Sequence, residues 1–224
     1  MNKMILYKEW LKTRWILLGI LAVFAALTFY CLLNLAKVVE FRGGEILWGT
    51  LVAKDTVLVE LLKYLPAIAG GVLALAQFLP EVARKRLKLT LHLPYPQGRM
   101  IALMALYGLC ALLLVFAMQA AAVAIVLRGW IVRELVSRIL VTAAVWYLAG
   151  WALYLWTAAV CLEPTWRMRI LLLLLLAGLV RLLLFLSPVP EAYNGFLPWL
   201  LLYVLCSGVL LFHSVSRFKE GIQD

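Results

Sequence analysis

"MIALMALYGLCALLLVFAMQAAAVAIVL", Met100–Leu127, runs for 28 residues without a charged side chain, closed by Arg99 before it and Arg128 after it. A helix crosses the hydrocarbon of a bilayer in about 20 apolar residues. This run is therefore long enough to span a membrane. Five further runs approach the same length: Trp15–Ala36, Val57–Leu79, Ile139–Leu162, Ile170–Leu186 and Phe196–Phe212. The chain as a whole has 224 residues, 66% of them hydrophobic and 14% charged. That balance excludes a soluble domain, whose outside must be largely polar. The expected fold is an all-α integral membrane protein of six transmembrane helices, with residues 1–224 forming one transmembrane domain. The fifth and sixth runs are short, and their helices are expected to thin the bilayer locally or to extend into their flanks.

The net charge is +10. In a soluble protein that excess would suggest nucleic acid, but here the cations sit in short connections between apolar runs, where Lys and Arg set topology. The N-terminal segment, the second and fourth connections and the C-terminal tail together carry 13 of the 21 Lys and Arg residues, against 8 on the other side. Both termini and the Glu81–Arg99 connection are thus expected in the cytoplasm. The N-terminal run continues to about Ala36, too long for a signal-peptide core, and reads as a retained first span. Cys31, Cys110, Cys161 and Cys206 lie in or beside apolar runs without a C-x-x-C spacing, as packed small hydrophobes do.

Two cationic segments have helical faces. In "MILYKEWLKTRW" (Met4–Trp15), Met4, Leu6, Tyr7, Trp10, Leu11 and Trp15 share one half of a helical wheel, and Lys8, Glu9, Lys12 and Thr13 share the other. Ile5 and Arg14 are exceptions. The pattern predicts an interfacial amphipathic helix over residues 1–14 that lies at headgroup depth before the first span. In "EVARKRLKLTL" (Glu81–Leu91), good helix formers follow Pro80 without a breaker until Pro94 and Pro96. A short helix parallel to the membrane is expected, with Arg84, Lys85 and Lys88 on one side and Val82, Leu89 and Leu93 on another.

These segments resemble the permeases of exporter-type ABC transporters. The opening "YKEWLKTRW" is similar to their cytoplasmic start. Glu81, Leu87, Leu91, Pro94 and Arg99 fit their pattern of an acidic residue ending the second span, a short basic helix with leucines, and a proline before a basic residue that opens the third span. Members often carry a Gly-Thr pair where this chain has Arg86–Leu87–Lys88, and many have a longer outer segment than Ser187–Gly195. The resemblance implies a coupling helix that docks on an ATP-binding cassette ATPase through Glu81, Arg84, Lys85, Leu87, Lys88 and Leu91. It implies a second permease subunit, identical or related, and a bacterial inner membrane. ATP and Mg belong to the partner ATPase. This chain itself needs no cofactor and is not expected to be an enzyme.

Inside the spans Asn34, Gln77 and Gln119 are expected to bond between helices or to line a path. Arg181, in the outer half of the fifth run, is expected to snorkel. Ala117, Ala121 and Ala124, with Ala120 and Ala122 nearby, give the third span a small-residue surface for close helix packing. No Walker-type phosphate loop or nucleophile elbow is present, no cluster of carboxylates from facing helices is expected, and His92 and His213 have no plausible partner set. Two other functions fit the span count: a non-transporting scaffold or assembly factor, and a small intramembrane enzyme, which would require convergent polar groups within the spans.

Overall fold

The computed structural model describes residues 2–42, 62–83, 96–129, 131–185 and 193–219. Among these, six α-helices form the protein and no strand occurs. They are α1 (Asn2–Arg42), α2 (Leu65–Ala83), α3 (Gln97–Leu127), α4 (Arg133–Leu162), α5 (Trp166–Phe185) and α6 (Leu197–Lys219), the last entered through a 3₁₀ turn at Asn194–Phe196. Five of them are long and apolar enough to cross a membrane; α5, with Arg167, Arg169 and Arg181 in its 20 residues, is the remaining one.

The exterior differs from that of a soluble protein. Trp15, Leu18, Phe29, Leu114, Ile125, Leu174 and Trp199 are exposed, while Glu9, Thr13, Gln77, Glu81, Gln119 and Glu163 are buried. In water an apolar exterior of this extent would drive association. In lipid it is the required exterior, and polar groups must find partners inside. The chain is a multi-pass, all-α membrane protein.

Several helices run past the ends of the apolar stretches, α4 from Arg133 and α5 from Trp166 among them, and three differences from the sequence reading bear on the site. No separate interfacial helix precedes the first span: α1 is continuous for 41 residues, about 60 Å at the helical rise, roughly twice the hydrocarbon thickness. Residues 57–61 of the expected Val57–Leu79 run lie outside the described residues; helix α2, with Pro66 in its first turn, does not stop at Leu79 but passes through Pro80 to Ala83. Pro is favoured in a first turn, where no amide hydrogen is needed. Pro80 forfeits one backbone bond near the other end, which a helix in a bundle accommodates locally. Helix α6 continues past Phe212 to Lys219, because Ser214 and Val215 still pack inward.

Helix α4 is the centre. It packs against α2, α3, α5 and α6, and Ala149, Ala152, Tyr154, Ala158 and Ala159 are wholly buried. Its closest neighbour is α2. A Cβ added at Gly70 would collide with the Gly150 carbonyl oxygen, and one added at Gly150 would lie 2.6 Å from the Pro66 carbonyl oxygen. Two glycines facing one another let the backbones approach as small-residue contacts do elsewhere in membranes. Helix α1 lies at the periphery, against α3 and α2 only among the stronger contacts. It meets α3 in parallel register through Thr13–Tyr107, Phe24–Phe116 and Thr28–Gln119.

Candidate functional site

Polar side chains gather at one end of the bundle, where α1, α3 and α5 begin and α2, α4 and α6 end. The first group joins α1 to α2. Lys8 Nζ lies 2.9 Å from Glu81 Oε1, and Lys12 Nζ lies 3.1 Å from the same oxygen. Lys12 also reaches Glu9 Oε2 at 3.0 Å, one turn back on its own helix. Two carboxylates thus share two ammonium groups. Both carboxylates are out of solvent, with side-chain exposures of 0% for Glu9 and 1% for Glu81, while Lys12 is 15% and Lys8 40% exposed.

The same turn of α1 reaches α3. Thr13 Oγ1 donates to the Glu9 carbonyl oxygen at 2.9 Å and lies 2.8 Å from the Tyr107 hydroxyl. The face that the wheel assigned to water therefore turns into the protein. The other face, Met4, Tyr7, Trp10, Leu11 and Trp15, is exposed. Sequence reading identified the two faces of this helix and misassigned the surroundings of the polar one, because it measured the lysines against water and not against a carboxylate at the end of α2.

Deeper lies a second set that sequence reading caught only in part. Tyr154 of α4 donates its hydroxyl proton to Gln77 Oε1 at 2.7 Å, and Gln77 Nε2 donates to the Met104 carbonyl oxygen of α3 at 2.8 Å. One amide thus links three helices. Tyr154 is fully buried, and its hydroxyl occupies the space that a Cβ at Gly108 would take. Gln119 of α3 donates from Nε2 to Thr28 Oγ1 of α1 at 3.2 Å. Gln77 and Gln119 both bond between helices. Asn34 is exposed on α1 and Arg181 is exposed on α5, so neither joins these sets.

A third group fixes the α4–α5 turn to α6. Arg217 lies 3.0 Å from Glu163 Oε1, Thr165 Oγ1 donates to the same oxygen at 3.1 Å, and Arg169 Nε donates to the Glu163 carbonyl oxygen at 2.6 Å. This cluster was not foreseen. Its readable signal is Glu163 in "LEPTW", an acidic residue directly after an apolar run.

Of the residues assigned to a docking helix, Glu81 is described and faces Lys8 and Lys12. Arg84, Lys85, Leu87, Lys88 and Leu91 lie outside the described residues. The alanines of α3 divide: Ala124 is buried, Ala117 and Ala121 are exposed, Ala117 and Ala120 line a groove of about 500 Å³ shared with α4 and α6, and Ala122 lines another of about 640 Å³ shared with α1. Among the described residues no group of three or more His, Cys, Asp or Glu side chains is placed to hold a metal ion, and the four cysteines are unpaired.

The class these features define is a helical membrane protein with an ion-paired polar end. No protein-family model, curated protein or solved structure matches the chain.

Proposed function

We propose that this chain is the permease subunit of an ABC exporter: six spans with both termini in the cytoplasm of a bacterial inner membrane, paired with a second permease and driven by a separate ATPase that binds ATP and Mg. The observation that carries this reading is the Lys8–Glu81–Lys12–Glu9 cluster. Buried ion pairs add little net stability over apolar packing. What this one supplies is a fixed joint. It clamps the end of α2, from which the Arg84–Leu91 segment departs, to α1, and the Thr13–Tyr107 contact carries the joint on to α3. A docking segment that receives force from a nucleotide-driven partner needs such a joint to move spans instead of bending alone.

Replacing Leu87 and Leu91 by Ser tests this. The change keeps every charge, and therefore the topology, but removes two apolar groups worth roughly 1.5–3 kcal/mol each when buried in a partner's groove. The ATPase is expected to be lost on purification and transport to stop while membrane insertion persists. Replacing Arg84 and Lys85 by Gln is expected to do less, because rim charges mainly tune association rate. Retention of the ATPase at the wild-type level by the double Ser variant would refute the docking role and leave a membrane scaffold as the reading.

A further inference from the structure

The seam between α1 and α3 is not closed along its length. Beside the Thr28–Gln119 bond lies the groove of about 640 Å³, bounded on α1 from Leu21 to Leu32 and on α3 from Val115 to Val126. At the helical rise that is a channel about 16 Å long. Thr28 lies fifteen residues beyond Thr13, about 22 Å along α1, so the groove sits in the half of the membrane away from the ion-paired end. Its walls are apolar, with Phe24 and Met118 among them, except at Thr28 and Gln119.

Gln119 is 5% exposed and spends its Nε2 on Thr28, but its Oε1 is buried with no hydrogen-bond partner. A carbonyl oxygen left unmatched in an apolar setting costs free energy comparable to a lost hydrogen bond. An apolar seam sealed by Thr28 and a leucine would avoid that cost. The volume falls within the range of small-molecule sites, about 300–1,000 Å³, which are mostly apolar with a few placed polar groups. A hydrocarbon chain, a single file of methylene groups, suits a slot of this length with an apolar lining.

We infer that the α1–α3 groove binds a membrane-dissolved amphiphile: a hydrocarbon chain that carries a hydroxyl or amide N–H, the chain lying along Phe24 and Met118 and the donor meeting Gln119 Oε1. The terminal torsion of a glutamine is soft, and a turn of the amide toward such a donor exchanges the 3.2 Å Nε2–Thr28 bond for one to the ligand. Under the exporter reading, on which this last step rests, such amphiphiles are the substrate class. The binding itself requires no ATPase.

The test uses the full chain in phosphatidylcholine nanodiscs, since that lipid offers no hydrogen-bond donor. The probe is a diazirine-bearing monoacylglycerol, compared with the fatty-acid methyl ester of the same chain, which lacks the hydroxyls. After photolysis, label is mapped by peptide mass spectrometry. Label is expected on 21–32 and 115–126, with the monoacylglycerol favoured over the ester. Gln119→Leu is expected to weaken the monoacylglycerol by about threefold to eighteenfold, the range of one hydrogen bond between groups in a membrane, and to leave the ester unchanged. Ala122→Phe, at an exposed position on the groove wall, is expected to fold normally and to exclude both probes. Label spread over all lipid-facing helices would overturn the site. Groove labelling without preference for the hydroxyl would overturn the role of Gln119 and mark bound bulk lipid only. Efficient cross-linking of Ala122→Cys to a second copy would mark a helix interface and also overturn the proposal. Specific labelling upholds the site whether or not an ATPase is bound; if the wild-type chain, extracted from its own membrane, also brings no ATPase with it, the site stands and the exporter reading falls.

Discussion

Lys12 is the residue on which the ion-paired end turns, and Lys12→Met measures what the joint contributes. In the folded protein its ammonium stands 3.0 Å from Glu9 and 3.1 Å from Glu81. Methionine preserves most of the stem and its packing while removing the charge. Glu81 then keeps only Lys8, which is 40% exposed and screened by solvent. Glu9 loses its ion-pair contact and keeps only the more distant charge of Lys8. Leaving a buried carboxylate unpaired costs about 3–5 kcal/mol. Lys8→Met, which removes one partly exposed pair, is expected to cost about 0.2–1 kcal/mol. Glu9→Gln leaves Lys12 paired with Glu81 and should cost about 1 kcal/mol, the net worth of an ordinary hydrogen bond. The double variant Lys12→Met/Glu9→Gln has no unpaired carboxylate at position 9, so it should recover most of the loss. The cycle should thus report coupling at the upper end of the 0.5–3 kcal/mol range for residues in contact. The assay is reversible unfolding in mixed micelles, followed by near-ultraviolet circular dichroism as the fraction of denaturing detergent rises. A Lys12→Met variant within 1 kcal/mol of wild type, or a double variant whose loss is the sum of the single losses, would refute the assignment of Lys12 as the shared counter-ion.

Two further outcomes follow from the packing and the charge asymmetry. Gly70→Leu drives side-chain atoms into the Gly150 backbone and is expected to destabilise by about 1–3 kcal/mol or more, whereas Gly19→Ala, with nothing within 4 Å of the added carbon, should be neutral or slightly stabilising in the same unfolding assay. In a background without native cysteines, a membrane-impermeant maleimide applied to intact cells should modify Asn194→Cys and spare Gly98→Cys, and labelling of the latter would reverse the orientation.

The long elements were legible because crossing a membrane is a one-dimensional requirement. An uninterrupted run such as Met100–Leu127 meets it whatever the rest of the chain does, and α3 covers that run. The ends were less legible because they depend on neighbours. Pro80 reads as a stop in water, but α2 carries it in its last turn. Lys8, Glu9, Lys12 and Thr13 read as a solvated face, and the face is real, but its partners are Glu81 and Tyr107 from other helices. The signal that would have corrected this was present: two lysines one turn apart on the first helix, and one acidic residue at the end of the second apolar run. Pairing them requires knowing that the two helices lie side by side.

The inner network joins residues that no local pattern in the sequence connects. Gln77 stood out as a polar side chain in an apolar run, whereas Tyr154 did not, since tyrosine is common in spans. Their partners lie 27, 50 and 77 residues apart in the chain, beyond any local pattern. The glycines carry more information than the tyrosine does. A glycine inside a helix costs up to about 1 kcal/mol relative to alanine, so Gly70, Gly108 and Gly150 each call for a compensating contact. All three have one: Gly70 and Gly150 face each other's helices, and Gly108 makes room for the Tyr154 ring and hydroxyl. Gly19 and Gly178 have open space instead, so the residue type alone does not separate the two kinds. The separation comes from company. Gly70 and Gly150 lie on runs whose buried faces are rich in alanine and leucine, and Gly108 lies one turn beyond Met104, whose carbonyl oxygen the network uses. In a bilayer, where the exterior is apolar on every helix, hydropathy cannot tell the inward face from the outward one. Small residues mark the inward face only where a partner backbone closes on them, as at Gly70 and Gly150, and amides only where they find a partner, as Gln77 does and the exposed Asn34 does not.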